Sequence, residues 1–280
     1  MTAETLAATI APLFVPGDRS DRFQGALNSA ADAIIIDWED AVSPPNKAIA
    51  RSNTVAFLSE PREKPIIVRI NSGSTESYEA DLQSLTEALR RNMPGLTAIM
   101  VAKCESGKVL RQLSSLFPGI GLIPLIESAR GIQNSAKLVK QAGIVRLAFG
   151  ALDFSTELSC DVDSGTVRFA AAVLVINSTA AGLPSPWDSP NVMVEDDQNV
   201  HAAAAESRSM GFGGKLCIHP RQINSTMRAF SPDEAQILWA RRVLAVSGGQ
   251  LARIDGQMID EPVILRAKKV LQLVGELPNG

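Results

Sequence analysis

Two carboxylates close two short apolar runs: Glu127 ends Gly121-Leu122-Ile123-Pro124-Leu125-Ile126-Glu127, and Asp153 ends Leu147-Ala148-Phe149-Gly150-Ala151-Leu152-Asp153. An acid just past a buried strand adds nothing to packing. The two stand 26 positions apart, and they could share a hard divalent cation if their strands lie side by side. Each also fits a plainer role as a helix N-cap or first-turn acid, which is common after strands. The apolar runs before both of them favour a site.

Other polar residues follow other apolar runs in the same way. They are Gly17 and Arg19, then Asp37, Glu39 and Asp40, then Arg69 and Asn71, Lys103 and Glu105, Asp188, and His219. Solubility alone does not require such a ring. The planar fork of Arg69 suits carboxylate recognition, or it pairs structurally with Asp37 or Asp40. Asp37 sits deeper in its strand, its side chain alternating with that of Glu39, and reads as structural. Lys103 could form a Schiff base, but with no second cue an electrostatic role is the expectation. His219 precedes Pro220 and could cap the next helix. With His201 and His219 the only histidines, a Ser-His-Asp hydrolase is poorly supported. Gly211-Phe212-Gly213-Gly214-Lys215 lacks the Walker spacing and a hydroxyl residue after the lysine, so it is not taken as a phosphate loop.

These residues need elements to hold them. Near-continuous apolar runs predict strands at Ala11–Val15, Ala33–Asp37, Ile66–Ile70, Ala98–Ala102, Gly121–Ile126, Arg146–Gly150 and Lys215–Ile218, with a weaker one at Leu183–Trp187. Runs without alternation suit a parallel sheet buried on both faces. Amphipathic stretches between them predict helices at Arg22–Ala30, Lys47–Ser59, Ser77–Arg90, Lys108–Leu116, Gly131–Gln141, Thr166–Ala180, Asn199–Met210 and Arg221–Phe230. About eight βα units predict a TIM (β/α)8 barrel, whose active site lies at the carboxyl ends of its strands. An open doubly wound sheet would need a glycine-rich first turn, and Val15-Pro16-Gly17-Asp18-Arg19 is not one. Residues 1–230 are therefore expected to form the barrel, and 231–280 a C-terminal extension that could act as a lid. The extension reads as a helix Glu234–Val246, a hairpin Leu251–Met258 and a last helix Glu261–Val274.

The totals narrow the class. The chain has 280 residues, 45% hydrophobic and 20% charged, with a net charge of −3. That suits a large core and argues against a nucleic-acid binder. No basic leader and no apolar run of membrane-spanning length is visible. Cys104, Cys160 and Cys217 are dispersed and odd in number, as expected of reduced thiols in a cytoplasmic protein.

Seven segments occur in order: Val15-Pro16-Gly17-Asp18-Arg19, Ile36-Asp37-Trp38-Glu39-Asp40-Ala41-Val42, Val68-Arg69-Ile70-Asn71, Ile126-Glu127-Ser128, Phe149-Gly150-Ala151-Leu152-Asp153, Gly213-Gly214-Lys215-Leu216-Cys217-Ile218-His219-Pro220 and Gly256-Gln257-Met258-Ile259-Asp260-Glu261-Pro262. Together they resemble the citrate lyase β-subunit-like branch of the HpcH/HpaI aldolase superfamily, over nearly the whole chain. The resemblance implies a TIM barrel, a Mg²⁺ cofactor and acyl-CoA substrates such as citryl-, malyl- or citramalyl-CoA, cleaved at or joined through a carbon–carbon bond. It also implies residue roles. Glu127 and Asp153 would bind the metal. Arg69 would hold substrate oxygens, and Glu39 and Asp40 would organise water around the metal. Gly17 and Arg19 would lie near the CoA end, and Lys103 is counted with the substrate-binding residues. Asp260 resembles the acid/base of a lid from a neighbouring subunit, so a homo-oligomer, a trimer or hexamer, is expected. Trp38 departs from the leucine frequent in the family, and Ala102 from the proline that often precedes the lysine. The alternatives left open are an acyl-CoA thioesterase on the same site, a lyase subunit active only in a complex, and an aldolase acting on free keto acids.

Overall fold

The structure, a computed structural model, describes residues 3–90, 94–246, 253–254 and 257–278. Eight strands make one parallel sheet in chain order: β1 (Leu13–Pro16), β2 (Ile34–Asp37), β3 (Ile66–Ile70), β4 (Leu96–Val101), β5 (Gly121–Ile126), β6 (Ala148–Phe149), β7 (Trp187–Asp188) and β8 (Gly214–Lys215). The sheet curls until its edges meet. Leu13 bridges Cys217 in parallel, and Phe14 N donates to Cys217 O at 2.8 Å. Strands β2, β4 and β5 are buried at every position, which explains their unbroken apolar runs. Alternate residues fill the interior: Ala33 and Ile35, Ile67, Ala98 and Met100, Ile123 and Leu125, then Ala148, Trp187 and Leu216. That interlayering is how a TIM-type barrel closes its core.

One short helix precedes the first strand, and the others follow strands. They are α1 (Ala3–Ala7), α2 (Phe23–Asn28), α3 (Lys47–Leu58), α4 (Glu76–Arg90), α5 (Gly107–Leu116), α6 (Ala129–Leu138), α7 (Ala151–Glu157), α8 (Gly165–Ala180), α9 (Asp197–Ser209) and α10 (Arg221–Phe230). Several starts carry side-chain caps: Ser106 accepts from Lys108 N, Ser128 from Gly131 N, Ser164 from Val167 N and Asp196 from Gln198 N.

Three predicted strands differ most in extent. The weak seventh, expected at Leu183–Trp187, is Trp187–Asp188. The sixth strand is two residues rather than Arg146–Gly150, because Arg146 is turned onto the carbonyls of Leu6, Thr9 and Ser185. The eighth begins a residue earlier and ends at Lys215, and its continuation is the single Leu13–Cys217 bridge. The short helices α1 and α7 were not predicted.

The chain divides into two compact units, Met1–Thr226 and Met227–Gly280. In the second unit, α11 (Glu234–Val246) and α12 (Glu261–Leu273) share a core of Ala240, Val243, Ile259, Ala267, Val270 and Leu271. Two short antiparallel strands, β9 (Arg253–Ile254) and β10 (Gln257–Met258), form the expected hairpin's described part. Its residues 251–252 and 255–256 lie outside the described residues.

Candidate active site

The ring of polar residues gathers at the carboxyl ends of the strands. Glu127 follows β5 and is buried, 4% exposed. Its Oε1 accepts from the backbone N of Lys103 at 2.7 Å. Its Oε2 has no hydrogen-bond donor among the described residues. The N-cap of α6 is Ser128, not Glu127, so the plainer reading of Glu127 fails. Asp153 is half-buried in the first turn of α7, whose N-cap is Gly150. The first-turn reading thus describes its place, yet its carboxylate has no hydrogen bond or ion pair among the described residues. Both acids line two cavities, of about 660 and 590 Å³. Burial pushes the Glu127 carboxyl up to about 8; Arg69 and the Lys103 amide oppose this, while Asp153 and Glu39 add to it.

Gly150 makes room for Glu127. A Cβ there would lie 2.5 Å from Glu127 Oε2 and 2.6 Å from Glu127 Cβ. Ser189, just past β7, ties the same corner together. Its Oγ accepts from Ala151 N at 2.6 Å and donates to Phe149 O at 2.9 Å, which fixes the start of the helix carrying Asp153.

Across the mouth, Arg69 is clamped by Asp37: Nε to Oδ1 at 2.6 Å and Nη2 to Oδ2 at 2.5 Å. Its Nη1 lies 3.3 Å from Glu39 Oε2, and the guanidinium stands 4.8 Å from the Phe14 ring centroid. Burial opposes its charge, but Asp37 and Glu39 outweigh burial and push its pKa above the ordinary value. Asp37 therefore holds Arg69 and also caps Glu39 N and Ala41 N. Its structural reading agrees with these contacts.

Lys103 joins the two sides. Its backbone is left-handed, φ 48°, which is uncommon for a residue with a side chain. That twist lets its amide reach Glu127 while its Nζ reaches Glu39 Oε1 at 2.5 Å and Asp40 at 3.3 Å. Burial opposes the ammonium, but Glu39 and Asp40 outweigh it and raise its pKa. A lysine held protonated is the reverse of what a Schiff base needs. Burial also raises the pKa of Glu39, whereas Asp40, though penalised by burial, is held below the ordinary range by Glu39 and Lys103.

Several expected residues stand elsewhere. Arg19 is exposed and forks onto Asp21 at 2.9 and 2.8 Å, and neither it nor Gly17 lines the two cavities. Gly17 is needed for packing, since a Cβ would meet Asp37 O at 2.8 Å and Trp38 Cδ1 at 2.9 Å. Trp38 is fully buried, with its Nε1 donating to Thr54 Oγ1 at 2.7 Å. His219 Nδ1 accepts from Arg221 N at 3.2 Å, so it caps the start of α10. Asp260 belongs to the second unit, where its carboxylate caps α12 through Val263 N at 3.2 Å. The sequence reading missed Gly150, Ser189 and Lys47. Lys47 Nζ donates to the Trp38 and Glu39 carbonyls and to Asn71 Oδ1. A glycine three positions before a candidate ligand was the visible signal for the first; a serine or lysine on another element gives none.

The donor set suits a hard divalent cation. Two carboxyl groups line a shared cavity with oxygens free of protein donors among the described residues, and a cation between them would let both be ionised. No group of three His, Cys, Asp or Glu in metal-holding geometry exists among the described residues. A pair of carboxylates leaves coordination positions for water and substrate oxygens, which is how magnesium is usually held.

Fold and mouth together define a class: a parallel-barrel enzyme with an acidic pair facing a clamped arginine. The sequence model of the HpcH/HpaI aldolase/citrate lyase family matches residues 11–220. A citrate lyase subunit beta-like protein of Mycobacterium tuberculosis is 31% identical over 273 residues, 94% of this chain and 95% of that one. A (3S)-malyl-CoA thioesterase of Cereibacter sphaeroides is 29% identical over 269 residues, 92% of each. Among solved structures, the CitE protein of M. tuberculosis in complex with magnesium, acetoacetate and coenzyme A has a TM-score of 0.84 and 31% identity, covering 96% of this chain and 99% of that one. The chain belongs to the HpcH/HpaI aldolase/citrate lyase family and is an enzyme of the lyase class. Among the described residues, no helix is long and apolar enough to cross a membrane.

Proposed function

We propose that the chain is a Mg²⁺-dependent carbon–carbon lyase that cleaves or forms a 3-hydroxyacyl-CoA thioester, giving an acyl-CoA and an α-keto acid. The observation that carries this reading is the pair Glu127 and Asp153, whose free carboxylate oxygens line the same cavities. The solved relative in complex with magnesium, acetoacetate and coenzyme A supports the choice of ion and of thioester.

Glu127 and Asp153 would hold Mg²⁺, which when bound supplies Lewis-acid polarisation of substrate oxygens. Arg69 would face developing oxyanion charge with Nη1, its other nitrogens being fixed by Asp37. A preorganised donor of this kind is worth ~3–4 kcal/mol in the transition state. Lys103 would keep Glu39 and Asp40 off the metal, leaving them to orient water. In cleavage, the 3-hydroxyl proton leaves, the C2–C3 bond breaks, and its electron pair becomes the thioester enolate, which takes a proton to give the acyl-CoA. Asp260 would carry that proton traffic, with residues 231–280 acting as a lid from a neighbouring copy of a homo-oligomer. Asp260→Asn is then expected to retain substrate binding and lose turnover; an unchanged kcat rules Asp260 out as the acid/base.

A second reading, hydrolysis of the thioester on the same site, is favoured by the 29% identical (3S)-malyl-CoA thioesterase. One experiment decides. Purified protein with Mg²⁺ is screened against 3-hydroxyacyl-CoA thioesters while free thiol and keto acid are followed together. Keto acid without thiol supports the lyase; thiol without keto acid supports hydrolysis; neither, across citryl-, malyl- and citramalyl-CoA, overturns both.

A further inference from the structure

The cavity of about 590 Å³ does not stop at the metal-ligand pair. It begins in the mouth with Arg69, Glu127 and Asp153, then extends past Phe149 into the outer layer between α8 and α9. Its walls in that annex are Val167 and Ala171 of α8, Ala203 and Met210 of the α9 side, and Phe212. These five are apolar, the two alanines leave the width, and the charged side chains Arg168 and Glu206 on the same helices pair with each other. The whole space is several times what a three- or four-carbon keto acid fills.

Two cations line this part of the cavity, and each is already paired: Arg168 Nη2 lies 2.9 Å from Glu206 Oε1, and Lys215 is held by Asp188. Lys215 Nζ donates to Asp188 Oδ2 at 2.6 Å and to Ser207 Oγ at 3.1 Å. Ser207 Oγ in turn lies 2.6 Å from the same Asp188 oxygen. A second carboxylate on the substrate would find no unpaired cation there and would face Asp188. An alkyl chain meets no such obstacle and gains from leaving water. The rim agrees with this: Leu152, Val162, Val192 and Ile218 are exposed large apolar side chains bordering this cavity.

We infer that this annex is the acyl-chain subsite, and that the enzyme prefers substrates whose keto-acid fragment carries an unbranched alkyl chain longer than methyl over those ending in a second carboxylate. The inference rests on the lyase reading, since the keto acid is placed by the Glu127–Asp153 pair.

The test is calorimetric binding to the full chain with Mg²⁺, using pyruvate, 2-oxobutyrate, 2-oxovalerate and oxaloacetate as probes. Affinity is expected to rise about three- to fourfold per added methylene, the gain typical of burying one CH₂, with oxaloacetate weaker than 2-oxovalerate. Ala203→Phe should flatten the series while leaving pyruvate within about twofold, the burial argument predicting loss only of the added methylenes. Ala171→Leu serves the same purpose should the larger change disturb folding. A flat or falling series in the wild-type protein, or oxaloacetate as the tightest probe, overturns the annex assignment while leaving the lyase reading standing. Failure of every keto acid to bind with Mg²⁺ present overturns both.

Discussion

The barrel buries charge at both ends and treats it in opposite ways. At the amino ends of the strands, Arg146 is 1% exposed and spends its donors on backbone: Leu6 O at 3.0 Å, Thr9 O at 2.7 Å and Ser185 O at 2.7 Å, with its guanidinium 4.6 Å from the Trp187 ring centroid. Asp32 at the same end accepts from Ile10 N and Ala11 N. At the carboxyl ends, Glu127 is buried almost as deeply but leaves Oε2 without a donor among the described residues. Burial displaces both groups, Arg146 down to about 9 and Glu127 up to about 8. A displaced pKa therefore does not separate scaffold from site in this fold. Whether the buried group's hydrogen-bonding capacity is spent does.

Glu127→Gln breaks the comparison most sharply. Turnover with Mg²⁺ is expected to fall on the order of a thousandfold, the several kcal/mol that a Lewis acid supplies. The melting temperature without Mg²⁺ should hold or rise, because a carboxyl whose charged form is penalised by burial has gone. Steady-state rates and a thermal melt check both halves; a collapsed fold would place Glu127 with the scaffold.

Arg146→Met should invert that pattern. It strands several buried carbonyls, each unsatisfied acceptor costing ~1–3 kcal/mol, so a total loss of about 3 kcal/mol is expected by denaturant titration. The folded fraction should keep its kcat within about twofold, since loss of a distant packing contact changes stability rather than transition-state binding.

Gly150→Ala tests how tightly the mouth is drawn. The new Cβ would fall 2.5 Å from Glu127 Oε2, so the carboxylate must move. Mg²⁺ affinity is expected to fall about 10- to 100-fold, the range seen when groups orienting a metal ligand are disturbed, and calorimetry measures it. Unchanged affinity would show that Glu127 has room to spare.

Much of this was legible from the sequence, and what was not has physical reasons. Apolar runs placed β3 and β5 at their observed bounds, because nearly every position of a strand covered on both faces is buried; Arg69 is the one charged interruption. The pair Glu127 and Asp153 was visible because an acid after such a run is conspicuous. The two-residue strands β6, β7 and β8 were harder: their ladders are short, and Pro184, Pro186 and the glycines around Gly214 carry little propensity. Helix α7 was invisible because seven residues hold barely two turns, and its support comes from Ser189, just past β7. The Arg69–Asp37 clamp was one of two alternatives on paper. Only the register that sets Asp37 beside Arg69 selects it over Asp40.

The mildest probe is pH, and it separates the ends without a mutation. The Glu127 carboxyl is raised from 4.5 to about 8 when no cation balances it. In the metal-free protein, its favourable contribution is complete below about 4.5, where it is neutral folded or unfolded, and is lost as pH rises through about 8. Mg²⁺ must displace that proton, so affinity should climb up to about tenfold per pH unit between 6 and 8, then level off. Calorimetry in buffers of different ionisation enthalpy counts the proton released. The Glu127→Gln protein should release none. Arg146 sets no trend in this window, since its guanidinium, held at about 9, stays charged through it. A Mg²⁺ affinity independent of pH from 6 to 8 would mean that Glu127 is ionised before the metal arrives, and that its carboxylate is balanced at the mouth as fully as the guanidinium is at the base.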